Sequence, residues 1–145
     1  MDSIIIIGVI VSIIFYELTN ISPGGIIIPG LMVLYINQVD RIIYTVIVAV
    51  ITCLIVKFIS RYLIIFGKRR FALMIIIGVL LNFLLELLLH SFSINLLSIS
   101  IIGYTVTGII ANEMYKQGYK RTISSLAIVV GFLELLLILM KNLGV

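Results

Sequence analysis

Two short phrases interrupt the apolar run of this chain in the same way. Gly25-Ile-Ile-Ile-Pro29-Gly30-Leu31-Met32 and Gly103-Tyr-Thr-Val-Thr107-Gly108-Ile109-Ile110 each set two glycines five residues apart, and both pairs of corresponding glycines are 78 residues apart. Each phrase lies between longer hydrophobic segments. An apolar segment broken by glycine and proline between two long spans implies non-helical backbone at membrane depth, which persists only where protein surrounds it or where it lines a wet cavity. Interruptions at corresponding positions of two halves point to the functional centre in transporter-like folds. Gly24, Gly25, Pro29, Gly30, Gly103, Gly108 and the nearby Asn112 are therefore the candidate conduit or interface motif. A structural alternative stands beside it, since small residues also let membrane helices pack closely.

Hydrophobic residues make up 63% of the 145 and charged residues 11%, and the mean hydropathy is +1.36. A soluble domain is nearer half apolar and a quarter charged, so an all-α integral membrane protein with a single domain, residues 1–145, is expected. The start, Met1-Asp2-Ser3 before Ile4 to Tyr16, lacks the basic region and cleavage site of a signal peptide and reads as a retained first span. The single Cys53 has no partner for an internal disulfide.

A span needs about 20 apolar residues. Ile4–Asn20, Ile42–Phe66, Phe71–Leu89 and Thr122–Met140 qualify, with the punctuated segments Ile21–Ile36 and Ile94–Met114 between them. Each half reads span, broken segment, span, an internal repeat of residues 3–66 and 71–140. Gly8-Val9 and Gly78-Val79 open the leading spans 70 residues apart, so the second half carries a longer connection, placed in His90–Ser100. Short loops rich in Lys and Arg stay in the cytoplasm. Gly67-Lys68-Arg69-Arg70, approached by Lys57 and Arg61, and Lys116, Lys120 and Arg121 mark two such loops. Both are cytoplasmic only if the broken segments cross, which gives six crossings as two inverted triplets. Re-entrant broken segments would give four spans and leave the second cluster outside. Against six stands length, because Ile21–Ile36 as helix reaches only about 24 Å of a core roughly 30 Å thick.

Ionisable groups inside a bilayer are costly and call for partners or water. Glu17 sits at a span end. Asn82, Glu86 and His90, four apart, share one helical face that lines a conduit, holds a proton or docks a subunit. A carboxylate and an imidazole at that spacing also admit acid–base transfer chemistry, though no nucleophile motif accompanies them. Glu134 lies among leucines. Lys116 and the Lys68, Arg69, Arg70 turn are candidate contacts for an anion or a docking partner, against the plain positive-inside explanation. No catalytic, cofactor or metal residue is assigned: the chain has no phosphate-loop motif and no His/Cys metal spacing. Its basic balance is explained by the loops, with no sign of nucleic-acid binding.

Three stretches together carry a resemblance. Glu17-Leu-Thr-Asn-Ile-Ser-Pro23-Gly-Gly-Ile-Ile-Ile-Pro29-Gly30, Tyr62-Leu-Ile-Ile-Phe-Gly67-Lys-Arg-Arg-Phe71-Ala72, and Gly108-Ile-Ile-Ala-Asn112 through Lys116-Gln117-Gly118 resemble the PgsC/CapC family, the membrane subunit of bacterial poly-γ-glutamate synthase. One departure is visible: Thr107 stands where the family's second motif usually has proline. The resemblance implies a non-catalytic plasma-membrane subunit in a capsule synthesis and export complex. Its expected partners are a cytoplasmic ATP-dependent amide ligase, an extracytoplasmic membrane-anchored subunit, the polymer and the lipid, with oligomers expected. ATP and Mg are expected in the ligase and no cofactor in this chain. A stand-alone small-solute transporter is the competing expectation.

Overall fold

The computed structural model describes residues 2–91 and 102–144, apart from the side chains of Asp2, Leu89 and His90. Among the described residues six helices run α1 Asp2–Thr19, α2 Ile28–Leu34, α3 Val39–Ile59, α4 Lys68–Ser91, α5 Tyr104–Gln117 and α6 Tyr119–Asn142. The Ile-rich runs of α1 and α3 would favour strands in water. Inside a bilayer every backbone polar group must be satisfied within the segment, and that demand overrides propensity in favour of helix. Helices α3, α6 and the stretch Lys68–Leu88 of α4 are long and apolar enough to cross a membrane.

Polarity is distributed against the pattern of a soluble protein. Ser12, Thr45, Thr52, Asn82, Thr107 and Thr122 are fully buried, whereas Ile6, Ile14, Leu54, Leu80 and Ile128 stand outward. Lipid receives large aliphatic side chains without penalty, so the interior is free for small and hydroxylated residues that let backbones approach. Most of the buried hydroxyls bond the carbonyl one turn back: Ser12 Oγ donates to Gly8 O (2.7 Å) and Thr52 Oγ1 to Val48 O (2.8 Å).

The helix pairs recur in kind. α1 packs on α2 as α4 packs on α5, α2 on α6 as α5 on α3, and α1 on α6 as α4 on α3. Burial recurs with them: Gly8 and Ser12 in α1 answer Gly78 and Asn82 in α4. In α3 Thr45, Val48, Ala49, Thr52 and Val56 are buried, and in α6 the residues 77 later, Thr122, Ser125, Leu126, Val129 and Leu133, are buried too.

The segment expected to be broken, Ile21–Ile36, divides into non-helical chain at 20–27 and the seven-residue α2. Asn20 turns the chain out of α1 with a φ of 54°, and Gly24 and Gly25 follow at 78° and 123°. Pro29 does not break α2. It lies in the first turn, where its missing N–H would have had no helical partner. In the second half α5 is continuous through Thr107–Gly108, so the expected interruption there is absent and helix begins only after Gly103 (φ 84°). The connection placed in His90–Ser100 falls largely outside the described residues, as does the start of Ile94–Met114.

Gly118 alone joins α5 to α6, with a φ of 93°. A Cβ there meets nothing within 4 Å, and neither does one on Gly131 inside α6. The two differ only in backbone conformation. Gly118→Ala is expected to lower the thermal midpoint through a strain of about 1–2 kcal/mol, whereas Gly131→Ala raises it by removing an entropic cost of about 0.5–1 kcal/mol; thermal unfolding in detergent compares the two.

Candidate functional site

The glycines of the repeated phrases meet glycines of the leading helices. A Cβ on Gly8 would stand 2.4 Å from Gly30 Cα, and one on Gly30 would stand 3.2 Å from Ile5 O. Likewise a Cβ on Gly108 would stand 2.6 Å from Ile75 Cα, and one on Gly78 3.1 Å from Gly108 N. At both crossings two backbones touch where side chains would hold them apart. Each crossing is backed by a residue of the third helix: Leu133 approaches Gly8, and Val56 packs with Met74 and Ala111 beside Gly108. Gly24 and Gly25 reach toward the second phrase itself, Gly24 against Leu126 and Ile110 and Gly25 against Ile109. Within the chain these glycines therefore form closed seams between helices.

Thr107 changes the polar chemistry of the second crossing. Its Oγ1 donates to Tyr104 O (3.0 Å) and accepts from Asn82 Nδ2 (3.0 Å). Proline at this point offers no side-chain acceptor. In the first half Pro29 takes the corresponding place, and the residue matching Asn82 is Ser12, which satisfies itself on its own helix.

The non-helical stretch at 20–27 is fastened at its polar start. Ser22 N–H donates to Gln117 Oε1 (2.9 Å), and Gln117 Nε2 donates to Ser22 O and to Thr122 Oγ1 (3.0 Å). Ser125 Oγ also donates to Ser22 O (3.2 Å), and Ser22 Oγ accepts from Gly25 N–H (3.2 Å). One glutamine amide thus pairs both the backbone N–H and the C=O of a residue 95 positions away, much as a neighbouring strand would. Sequence reasoning assigned no role to Ser22, Gln117, Thr122 or Ser125. The available signal was an amide and two hydroxyls at 117, 122 and 125, turned toward one side of the Gly118 break.

The expected polar residues divide. Glu86 is exposed and its two carboxylate oxygens accept from Tyr104 OH at 3.0 Å. Asn82 and Glu86 both turn toward α5, while the His90 side chain lies outside the described residues. Glu17 is exposed at the end of α1, and Glu134 is partly buried in α6. Asn112 is buried, its Nδ2 3.4 Å from Glu113 Oε1 and its Oδ1 without a partner among the described residues. Glu113 also pairs with Lys116 at 2.9 Å. Lys68 and Arg69 are exposed. Arg70 stacks on Tyr115, 4.6 Å from its ring centroid, and Ser60 Oγ lies 3.4 Å from Tyr115 OH. The 57–70 turn and the 113–121 turn are therefore at one end of the molecule, together with the Ser22 loop. Among the described residues no group of three His, Cys, Asp or Glu could hold a metal ion.

Apolar outer faces, hydroxyls buried within an apolar core, glycine seams and three helices long and apolar enough to cross a bilayer mark a small helical membrane protein. Residues 7–123 match the family described as capsule biosynthesis CapC, and the chain belongs to that family. It is 36% identical over 128 residues to the PGA biosynthesis protein CapC of Bacillus subtilis (strain 168), covering 88% of this chain and 86% of that one. It is 32% identical, over the same shares, to the capsule biosynthesis protein CapC of Bacillus anthracis. No solved structure matches it.

Gln117→Leu leaves the part-buried Ser22 N–H without its acceptor, an expected cost of about 0.5–1.5 kcal/mol. Limited proteolysis should then cut within residues 20–27 of the variant well before the unmodified chain is cut.

Proposed function

We propose that this chain is the non-catalytic membrane subunit of a poly-γ-glutamate synthase and export complex in the bacterial plasma membrane, where it holds a cytoplasmic ATP-dependent amide ligase against the membrane. The relatives' names, PGA biosynthesis and capsule biosynthesis, support the polymer. The observation that carries the docking role is the gathering of Lys57, Arg61, Lys68, Arg69, Arg70, Lys116, Lys120 and Arg121 at one end, tied by the Arg70–Tyr115 stack. By the positive-inside rule that end faces the cytoplasm.

Six crossings as two inverted triplets fit this arrangement. α3, 21 residues long, rises about 31 Å to reach the basic end. The stretch from Ser22, fastened at that end, to Gln38, which precedes α3, must then traverse the membrane. Non-helical chain covers more distance per residue than helix, which eases the length objection raised by Ile21–Ile36. The recurrence of helix pairs and buried positions supports a two-fold axis in the membrane plane, with both termini outside.

Because the seams are closed, the glycine phrases act by setting how helices and subunits fit, and the polymer passes between copies or beside them. ATP and Mg act in the ligase, and an extracytoplasmic membrane-anchored subunit completes the complex. A stand-alone small-solute transporter is the competing function, which the inverted pairing also suits. Co-purification with an ATP-dependent ligase favours the synthase; a functional chain that retains no partner favours transport.

Two outcomes test the proposal. A Gly67→Cys variant in a Cys53→Ser background should react with an impermeant thiol reagent only from the cytoplasmic side, and neutralising Lys68, Arg69 and Arg70 should reduce ligase recovery while insertion is unchanged; labelling from outside overturns the topology, and undiminished recovery overturns the docking. For Gly30→Leu, polymer made per assembled complex should fall to near background. A ratio equal to that of the unmodified chain would assign the seam to stability alone.

A further inference from the structure

A groove opens at the basic end where α3 meets the junction of α5 and α6. It encloses about 410 Å³ between Val50, Cys53 and Leu54 of α3 and Met114, Tyr115 and Tyr119 opposite, with Lys57 on the α3 side. It faces outward: Leu54 is 61% and Tyr119 58% exposed. From Val50 to Lys57 the helix rises about 10 Å, so the groove runs from the basic interface about a third of the way through a hydrocarbon core roughly 30 Å thick.

An empty apolar recess beside lipid forfeits dispersion contacts along its whole wall, so it takes an occupant of matching chemistry. That occupant is apolar against Val50, Leu54 and Met114 and anionic at the end held by Lys57, whose surroundings carry Arg61, Lys116 and Lys120 in the adjacent turns. Shape and charge decide between a lipid tail and a helix: the recess lies open to its surroundings beside the exposed Leu54 and Tyr119, and its apolar wall ends at the single cation Lys57, the arrangement that one acyl chain below one anionic headgroup matches. We propose that the groove binds one acyl chain of an anionic phospholipid from the leaflet at the basic end, with its phosphate on Lys57. The inference needs only the membrane placement of the chain and is independent of the synthase function.

The test uses the full chain in nanodiscs of equal phosphatidylglycerol and phosphatidylcholine, released into native mass spectrometry. Phosphatidylglycerol should be retained over phosphatidylcholine by about fivefold, the effect of one well-placed lysine at an anionic surface. Lys57→Gln should bring the two lipids to equal retention, and Leu54→Trp, which fills the groove, should lower retention of both. Both positions are exposed, so both variants are expected to fold. Equal retention by the unmodified chain, or an unchanged preference in Lys57→Gln, overturns the headgroup contact. Undiminished retention in Leu54→Trp overturns the location. Crosslinking from Cys53 to a partner chain in the isolated complex would give the groove to a protein and reject the lipid.

Discussion

Backbone that leaves the helix where protein packs around it must find hydrogen bonds from somewhere, and the seating of one half of this structure on the other follows from how that demand is met at Ser22. A side-chain amide at Gln117 supplies both a donor and an acceptor, and Ser125 adds a second donor to the same carbonyl. Because Gln117 ends α5 and Thr122 and Ser125 lie in the first turns of α6, the loop of one half is seated on the hinge of the other. The hinge must therefore be sharp and fixed, and a single glycine at positive φ makes it so.

The glycine seams solve a related problem by geometry. Two helices whose backbones touch exchange many weak contacts and need no large side chains between them, which suits a medium that offers no hydrophobic drive to association. Hydrogen bonds across such seams contribute little individually, about 0.6 kcal/mol on average. The Asn82–Thr107 pair accordingly serves more to satisfy the buried Asn82 Nδ2, whose neighbouring Oδ1 has no partner among the described residues, than to hold the helices together.

Much of this was legible in the sequence because composition and glycine spacing depend on the medium and the backbone. The apolar spans, the paired phrases and the basic ends needed no tertiary knowledge. The glycines in the phrases were visible, but their partners were not: Gly8 and Gly78 were seen only as span openings, because contact between residues such as Gly8 and Gly30 depends on a crossing angle that no local pattern encodes. Pro29 was read as a break although proline in a first turn is compatible with helix, and Thr107–Gly108 was expected to interrupt a helix that in fact runs through it. Gln117 passed without a role because a lone glutamine at a membrane edge is an ordinary residue until its partner 95 positions earlier is known. Of the stripe Asn82, Glu86 and His90, the first two turn toward α5, yet one is buried and the other exposed, a distinction set by where α5 begins.

That separation of 95 residues also governs how the chain is made. Ribosomes add about 5–20 residues per second, so the Ser22 peptide group emerges on the order of ten seconds before the glutamine that will satisfy it. During that interval the first three helices have no hinge to rest on, and the loop must stay near water or the insertion machinery. The order of synthesis thus leaves the first half waiting for its hydrogen-bond partner until the second half comes out.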